Sequence, residues 1–239
     1  MLAVNILTCC VSTVRARRRL DMSKIQVYYW PMLARGASLV RMLEHTGTPY
    51  DYISDSSRFG EAMSKWGAPT DCFAPPVVVD GDFVVSQSTA SCLYLGNKLG
   101  LEPTGFNVFK AQQHMVDIVD TFEGNLGKSN EHGPTLKKFL EGERWPMLMK
   151  NLEAGIKGPF YCGDAPCAVD FFLAAHVDSR KATLFDPLNA KHGVDALAPF
   201  PKVLTVWREL SSADPWKKYQ GPLQHMRPIK DEILDAYHS

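Results

Sequence analysis

The chain has 239 residues, of which 45% are hydrophobic and 22% charged, so it is long and apolar enough for one large or two modest hydrophobic cores. Lysine plus arginine equals aspartate plus glutamate, at 26 each, which excludes an overall positive field and disfavours nucleic acid as a partner. No apolar run approaches the roughly 20 residues of a membrane-spanning helix, so we expect no integral membrane protein and no membrane partner.

The six cysteines and seven histidines show no spacing typical of a metal site. The cysteines form no CxxC pair and no regular framework, and the histidines form no HExxH motif. We therefore expect no metal, and a reducing compartment.

The first 21 residues differ in composition from the rest. Four arginines (Arg15, Arg17, Arg18 and Arg19) occur before the first acidic residue, Asp21, as in organelle-targeting leaders. Met22 opens a stretch that reads as a true start, so a disordered extension or an upstream start is the alternative. We assign residues 1–22 to a leader or disordered extension and expect a cytoplasmic protein, with organelle targeting as the other option.

The pattern of residues 23–101 predicts alternating strands and helices. Residues 24–30 are β-rich, residues 34–45 have apolar side chains at helical spacing, and residues 49–54 form a second short run typical of a strand. Two β-branched runs then flank Asp80-Gly81, a strong hairpin signal, and Ser88 is well suited to cap the helix that follows. The predicted order is βαβ followed by ββα, over residues 23–101.

The second half of the chain, residues 106–239, predicts helices only. Apolar residues recur at intervals near 3.6 from Val108 to Phe122, and further helical segments follow to about residue 219. Pro146 starts or kinks one of them.

This arrangement resembles the cytosolic glutathione transferases over residues 24–219. The ungapped segment "PVVVDGDFVVSQSTASCLYLGNKLGL" (76–101) is similar to the family's proline, hairpin and Gln-Ser segment, and "YCGDAPCAVDFFLAA" (161–175) to its buried helix. The start "KIQVYYW" is similar to the mu, pi, sigma and alpha classes. The resemblance implies an α/β thioredoxin-like N-terminal domain (βαβ-ββα) followed by an all-α helical C-terminal domain.

In those classes a tyrosine ending the first strand is catalytic, and the resemblance implies that it is Tyr29, because strand alternation sends Tyr28 to the opposite face. A phenolic hydrogen bond to the sulfur would lower the pKa of the glutathione thiol. However, one residue too many lies between Tyr29 and Arg41, and an ungapped alignment puts Trp30 in the catalytic position. Both alignments remain open.

The resemblance also implies the glutathione-binding residues. Gln87 and Ser88 would hold the γ-glutamyl group, since a helix N-terminus suits a carboxylate. A cis-proline would follow the residue that pairs with the cysteinyl backbone: spacing favours Pro76 as the cis residue, whereas the need for an N–H donor favours Ala74 before a cis Pro75.

Lys65 and Trp66 lie where several classes of the family have a Trp and a Lys that contact the glycyl carboxylate of glutathione. Cys167 replaces the usual Ser or Thr in a capping box with Asp170, and we expect a weaker cap because sulfur is a weak acceptor. We expect the electrophile pocket to be formed by three segments: Met32-Leu33, residues 112–119 and residues 219–226.

The implied activity is conjugation of the glutathione thiolate to a small hydrophobic electrophile, as in detoxification. Glutathione is a co-substrate, no cofactor is needed, and the family's precedent implies a homodimer. The alternatives are a non-catalytic binding or scaffold protein of the same fold, and a glutathione-dependent isomerase or peroxidase.

Overall fold

The computed structural model describes residues 24–105, 107–129, 131–224 and 227–238. The leader assigned to residues 1–22 lies outside the described residues. Within these ranges, a four-stranded sheet with two helices is followed by a run of helices.

The sheet has four strands, which lie side by side in the order second, first, third, fourth of the chain; the first and second are parallel, and the other neighbouring pairs are antiparallel. The hairpin predicted at Asp80-Gly81 is confirmed, and Gly81 has the left-handed φ of 60° that its turn requires. The strands are β1 (Ile25–Tyr28), β2 (Tyr50–Ile53), β3 (Val77–Asp80) and β4 (Phe83–Ser86).

The two faces of the sheet bury different side chains. Val27 and Val78 point into the main core below the helices, whereas Tyr28 packs with Phe59 and Met63 on the opposite face. Phe59 belongs to the first of two 3₁₀ turns, Ser56–Glu61 and Ser64–Trp66. Alternation along β1 therefore separates Tyr28 from its neighbour Tyr29.

The helical second half predicted from the sequence is confirmed. Pro146 lies in the first turn of its helix and so starts rather than kinks it. The helices are α1 (Ala37–Thr46), α2 (Ser88–Lys98), α3 (Val108–Val119), α4 (Leu126–Ser129), α5 (Gly133–Glu141), α6 (Arg144–Gly155), α7 (Ala168–Arg180), α8 (Asp186–His192), α9 (Pro201–Ser212), α10 (Asp214–Lys217) and α11 (Asp231–Asp235).

Two π turns interrupt the long helices. Asp120–Asn125 joins α3 to α4, and Lys181–Phe185 joins α7 to α8. Such turns are rare and are often found at functional sites. Both lie beside the cavity described below.

Helix α7 is the centre of the fold and is buried along most of its length. It packs against α1 on one side and α9 on the other, so one continuous core joins the sheet to the helical half. At its start, the Asp170 carboxylate accepts hydrogen bonds from the backbone N–H groups of Cys167 and Tyr161, at 2.9 and 2.8 Å. The capping box is complete despite the thiol.

Candidate functional site

Three chain segments meet at one end of the sheet. The last paired residues of β1, β3 and β4 lie side by side there. Three residues lie just beyond this end of the sheet: Tyr29 follows β1, Pro76 precedes β3 and Gln87 follows β4. Their positions follow from the register alone and place them in a row.

Tyr29 packs against the start of α1. Its backbone N–H donates to the Ile53 carbonyl at 3.2 Å, and its ring is only 4% exposed. A Cβ atom added to Gly36 would lie 2.6 Å from Tyr29 Cδ1. Glycine is therefore required at position 36 for the ring to approach the helix so closely.

The Tyr29 hydroxyl keeps its proton at neutral pH. Burial raises its pKa to about 12, and the Glu123 carboxylate adds to this increase. The Arg35 guanidinium and backbone N–H oppose it but do not reverse it. The phenol is therefore a hydrogen-bond donor rather than a base.

The neighbouring aromatic residues face elsewhere. The Tyr28 hydroxyl lies 3.1 Å from Gln26 Oε1 and 3.2 Å from Glu61 Oε2, on the other face of the sheet. The Trp30 ring is 37% exposed and meets the rings of Tyr29 and Phe59 edge-on. Neither Tyr28 nor Trp30 lines the cavity beside Tyr29.

The cavity has a volume of about 360 Å³, within the range of small-molecule sites. It lies between the loop after β1, the first π turn and the end of α7. Most of its lining residues carry a polar or charged group; the lining comprises Tyr29, Met32, Ala34, Arg35, Glu123, His176, Ser179 and Arg180.

A charged network crosses the cavity. The Glu123 carboxylate forms an ion pair with Arg35 and lies 3.1 Å from His176 Nε2, while His176 Nδ1 lies 2.9 Å from the Phe172 carbonyl. Because both partners of the imidazole accept, the ring can donate from both nitrogens only when protonated. Burial alone would raise the pKa of Glu123, but the hydrogen bond from His176 and the charges of His176 and Arg35 lower it to about 2.

Arg180 differs from Arg35. Its half-buried guanidinium forms no hydrogen bond or ion pair with any group in the part of the chain that the structure describes. Burial lowers the pKa of Arg180, and the more distant charge of Glu123 offsets this only in part. The cavity thus contains one paired and one unpaired guanidinium.

This lining differs from the expected electrophile pocket. Met32 contributes, but Leu33 is buried in a core cluster, and the wall expected from residues 112–119 comes instead from the following π turn. The C-terminal segment contacts the loop after β1, since Leu33 N–H donates to the Gln224 carbonyl at 2.7 Å, but none of its described residues lines the cavity. Residues 225 and 226 lie outside the described part.

The expected glutathione residues border the sheet end rather than this cavity. Gln87 is exposed and has a φ of 73°, a strained value for a residue with a side chain, and its N–H donates to the Ala74 carbonyl at 3.4 Å. Gln87, not Ser88, occupies the position before α2, so the expectation that Ser88 caps the helix was wrong. Ser88 is the first helical residue and is 7% exposed.

The peptide bond between Pro75 and Pro76 is cis, so Pro76 is the cis residue, as the spacing favoured. Pro75 is buried and offers no backbone N–H. Lys65 and Trp66 lie on the second 3₁₀ turn, with Lys65 Nζ 4.2 Å from the Trp66 ring centroid. Both side chains are exposed.

Sequence reasoning missed Glu123, His176 and Arg180. A signal was present for two of them, because His176 and Arg180 are four residues apart and so lie on one face of the helix. Glu123 gave no such signal, since a π turn changes the spacing on which helical patterns depend.

Among the described residues, no three His, Cys, Asp or Glu side chains are grouped so that they could hold a metal ion. In the same residues, no helix has the length and apolar character needed to cross a membrane.

Comparison with known proteins gives a structural answer only. The sequence matches no protein-family model and no curated protein. A glutathione transferase from Burkholderia graminis, with two glutathione molecules bound per subunit, is similar at a TM-score of 0.61 and 20% identity, covering 83% of this chain and 90% of that one.

Two further solved structures agree. A glutathione transferase family member from Pseudomonas fluorescens, with two glutathione bound, gives a TM-score of 0.60 at 19% identity over 82% of this chain and 91% of its own. Prostaglandin synthase D of Nilaparvata lugens gives 0.56 at 16% identity, covering 81% and 95%. The chain therefore has the fold of the glutathione transferases: a mixed four-stranded sheet followed by a helical C-terminal half.

Proposed function

We propose that the protein is a glutathione transferase, which binds glutathione along the row formed by Tyr29, Pro76 and Gln87 and joins its sulfur to an electrophile in the adjoining cavity. The shared fold and the row at the sheet end support this proposal. Glutathione is the co-substrate, and nucleophile activation needs only a shift in the thiol pKa.

The observation that carries the proposal is the protonated Tyr29 phenol beside the cavity. A thiol pKa near 8.5 must fall by about two units for the sulfur to be mostly ionised at neutral pH, which corresponds to about 2.7 kcal/mol. One hydrogen bond to a charged acceptor contributes about 1.5–3 kcal/mol, so a single phenolic donor supplies most of it. The Arg35 guanidinium at the same cavity adds positive potential.

The remaining contacts would orient the tripeptide. Gln87 and the N-terminus of α2 at Ser88 would receive the γ-glutamyl group. Ala74 and Pro75 would offer only backbone carbonyls to the cysteinyl residue, because the Ala74 N–H lies one residue too early and Pro75 has none. Lys65 and Trp66 would meet the glycyl carboxylate.

The ultraviolet absorbance of the glutathione thiolate tests this assignment directly. Tyr29→Phe should remove the thiolate band of bound glutathione at neutral pH and lower kcat/KM about 10- to 100-fold, as expected for one hydrogen bond to a charged group. Tyr28→Phe is the matched control, because that hydroxyl faces Gln26 and Glu61. Persistence of the band in Tyr29→Phe, with loss in Tyr28→Phe, would overturn the role of Tyr29.

A second candidate is a non-catalytic glutathione-binding protein. It is favoured by the near-complete burial of Tyr29, at 4% exposure, and by the missing N–H of Pro75. Retention on immobilised glutathione without conjugation of a chloro-nitrobenzene would support it, whereas conjugation would exclude it.

A homodimer acting in the cytoplasm on toxic electrophiles completes the proposal. An exposed apolar strip on α3, with Val108, Phe109 and Val116 at 54%, 75% and 43% exposure, would be covered by a second copy. Sedimentation velocity distinguishes a dimer from a monomer, and only a dimer agrees with the proposal.

A further inference from the structure

The charge in the cavity is unbalanced. Its lining carries two guanidinium groups, Arg35 and Arg180, against one carboxylate, Glu123. Glu123 is already engaged by Arg35 and His176. The half-buried guanidinium of Arg180 thus has no hydrogen-bond or ion-pair partner in the described residues, an arrangement that costs free energy unless an anion is bound.

The position of Arg180 leaves its donors open. It is the last residue of α7, and the facing segment after the first π turn presents Gly127, whose added Cβ would lie 3.7 Å from Arg180 Nη2. Because residue 127 is glycine, the segment places backbone but no side-chain partner against the guanidinium there. A planar guanidinium with free donors is suited to a carboxylate, which it can bind through two parallel hydrogen bonds.

We propose that the acceptor substrate carries a carboxylate that Arg180 binds, while its electrophilic atom faces Tyr29 and the glutathione sulfur. This inference rests on the proposed transferase function and narrows the expected hydrophobic electrophile to an anionic one. A benzoate-sized acceptor fits a cavity of about 360 Å³.

The test uses one anionic and one neutral acceptor with the same reacting ring: 4-chloro-3,5-dinitrobenzoate and its methyl ester. In both, the glutathione thiolate attacks the ring carbon that bears chlorine. A C–S bond forms, the C–Cl bond breaks and chloride leaves with the electron pair. No oxidant or reductant takes part. Because the ester withdraws electrons from the ring more strongly than the carboxylate does, each kcat/KM is divided by the uncatalysed rate constant with glutathione, and the remaining difference reports recognition of the carboxylate.

Wild-type protein should prefer the benzoate over the ester in kcat/KM. Arg180→Gln should lower the ratio of kcat/KM for the benzoate to kcat/KM for the ester about 10- to 100-fold, mainly through a higher KM for the benzoate. Arg180→Lys should give an intermediate ratio, because lysine keeps the positive charge but cannot donate two parallel hydrogen bonds. Arg208→Gln, an exposed arginine on α9, is the matched control and should leave the ratio unchanged.

Three results would overturn the inference. The first two are an unchanged ratio in Arg180→Gln and no preference of the wild-type protein for the benzoate. The third is a higher KM for glutathione in Arg180→Gln than in wild type, with either acceptor. The last result would assign Arg180 to a carboxylate of glutathione itself.

Absence of turnover with both acceptors would contradict the transferase function alone. The inference is then decided by calorimetry, in which glutathione-saturated protein is titrated with the unreactive 3,5-dinitrobenzoate and with its methyl ester. The wild-type protein should bind the anion more tightly than the ester, and Arg180→Gln should lose this difference. Thermal unfolding of both Arg180 variants confirms that they are folded.

Discussion

At the scale of single residues, the site depends on which groups are charged and which are not. Tyr29 is held neutral by burial, whereas Glu123, whose side chain is 19% exposed, is held ionised by His176 and Arg35. Two acidic groups at one cavity thus take opposite protonation states at neutral pH. This division leaves Tyr29 free to donate and Glu123 to orient its cationic partners.

Ionisation of Glu123 predicts a specific dependence of stability on pH. Its pKa is about 2 in the fold, against an ordinary 4.5, so it stabilises the fold above about pH 4.5 and loses this contribution as the pH falls through 2. The shift corresponds to about 3 kcal/mol. Glu123→Gln should therefore lower the free energy of unfolding by about 3 kcal/mol at pH 7 and by about half of that near pH 3.

Urea denaturation at the two pH values measures both differences. Glu209→Gln, an exposed acid on α9, is the control and should change the free energy of unfolding by less than about 0.5 kcal/mol at either pH. Parallel pH profiles for wild type and Glu123→Gln would contradict the network.

At the scale of elements, the start of α7 shows how a poor capping residue is tolerated. Asp170 bonds the backbone on both sides of the cap, and Cys167 Sγ lies 3.5 Å from Cys162 Sγ in a buried setting. The thiol therefore contributes by packing as well as by its weak acceptor strength. The carboxylate supplies the stronger half of the capping box.

Substitutions at Cys167 separate these two contributions. Cys167→Ser should raise the free energy of unfolding by about 0.5–1 kcal/mol, because oxygen accepts the N–H of Asp170 better than sulfur does, and Cys167→Ala should lower it. Thermal or urea unfolding of the two variants measures the order. A serine variant less stable than wild type would mean that packing against Cys162 outweighs the cap.

At the scale of the whole molecule, one buried arginine ties the sheet half to the helical half. Arg41 of α1 is 2% exposed, forms an ion pair with Asp178 of α7 at 3.1 Å, and lies 4.1 Å from the Trp216 ring centroid. Asp178 also accepts from Trp207 Nε1 at 3.2 Å. Burial lowers the pKa of Arg41 to about 10, opposed by Asp178, so the guanidinium stays charged.

Removing this tie should destabilise the whole fold. Arg41→Ala leaves Asp178 largely buried without its cation, and we expect a loss of about 3 kcal/mol in the free energy of unfolding. Arg58→Ala is the control: its pair with Glu61 is exposed and screened by solvent, so its loss should have a much smaller effect. Urea denaturation measures both, and equal effects of the two variants would contradict the assigned role.

The elements were predictable from the sequence because they follow local rules. The Asp80-Gly81 turn and the 3.6-residue periods after Val108 need no tertiary information. The cavity lining was less predictable, because Arg35, Glu123 and Arg180 come together only through packing. The sequence analysis placed the cap of α2 at Ser88, one residue too late, because Gln87 adopts the strained backbone conformation that precedes the helix.

The two π turns bear on how this chain is compared with its structural neighbours. A π turn holds one residue more than an α-helical turn, so an alignment that assumes unbroken helices over residues 108–129 and 168–192 rotates everything beyond each turn by about 100°. Buried positions such as Leu126 and Leu188 would then be matched to surface positions elsewhere. Equivalent residues must be identified by superposing backbones, and motif searches with fixed spacing will overlook them.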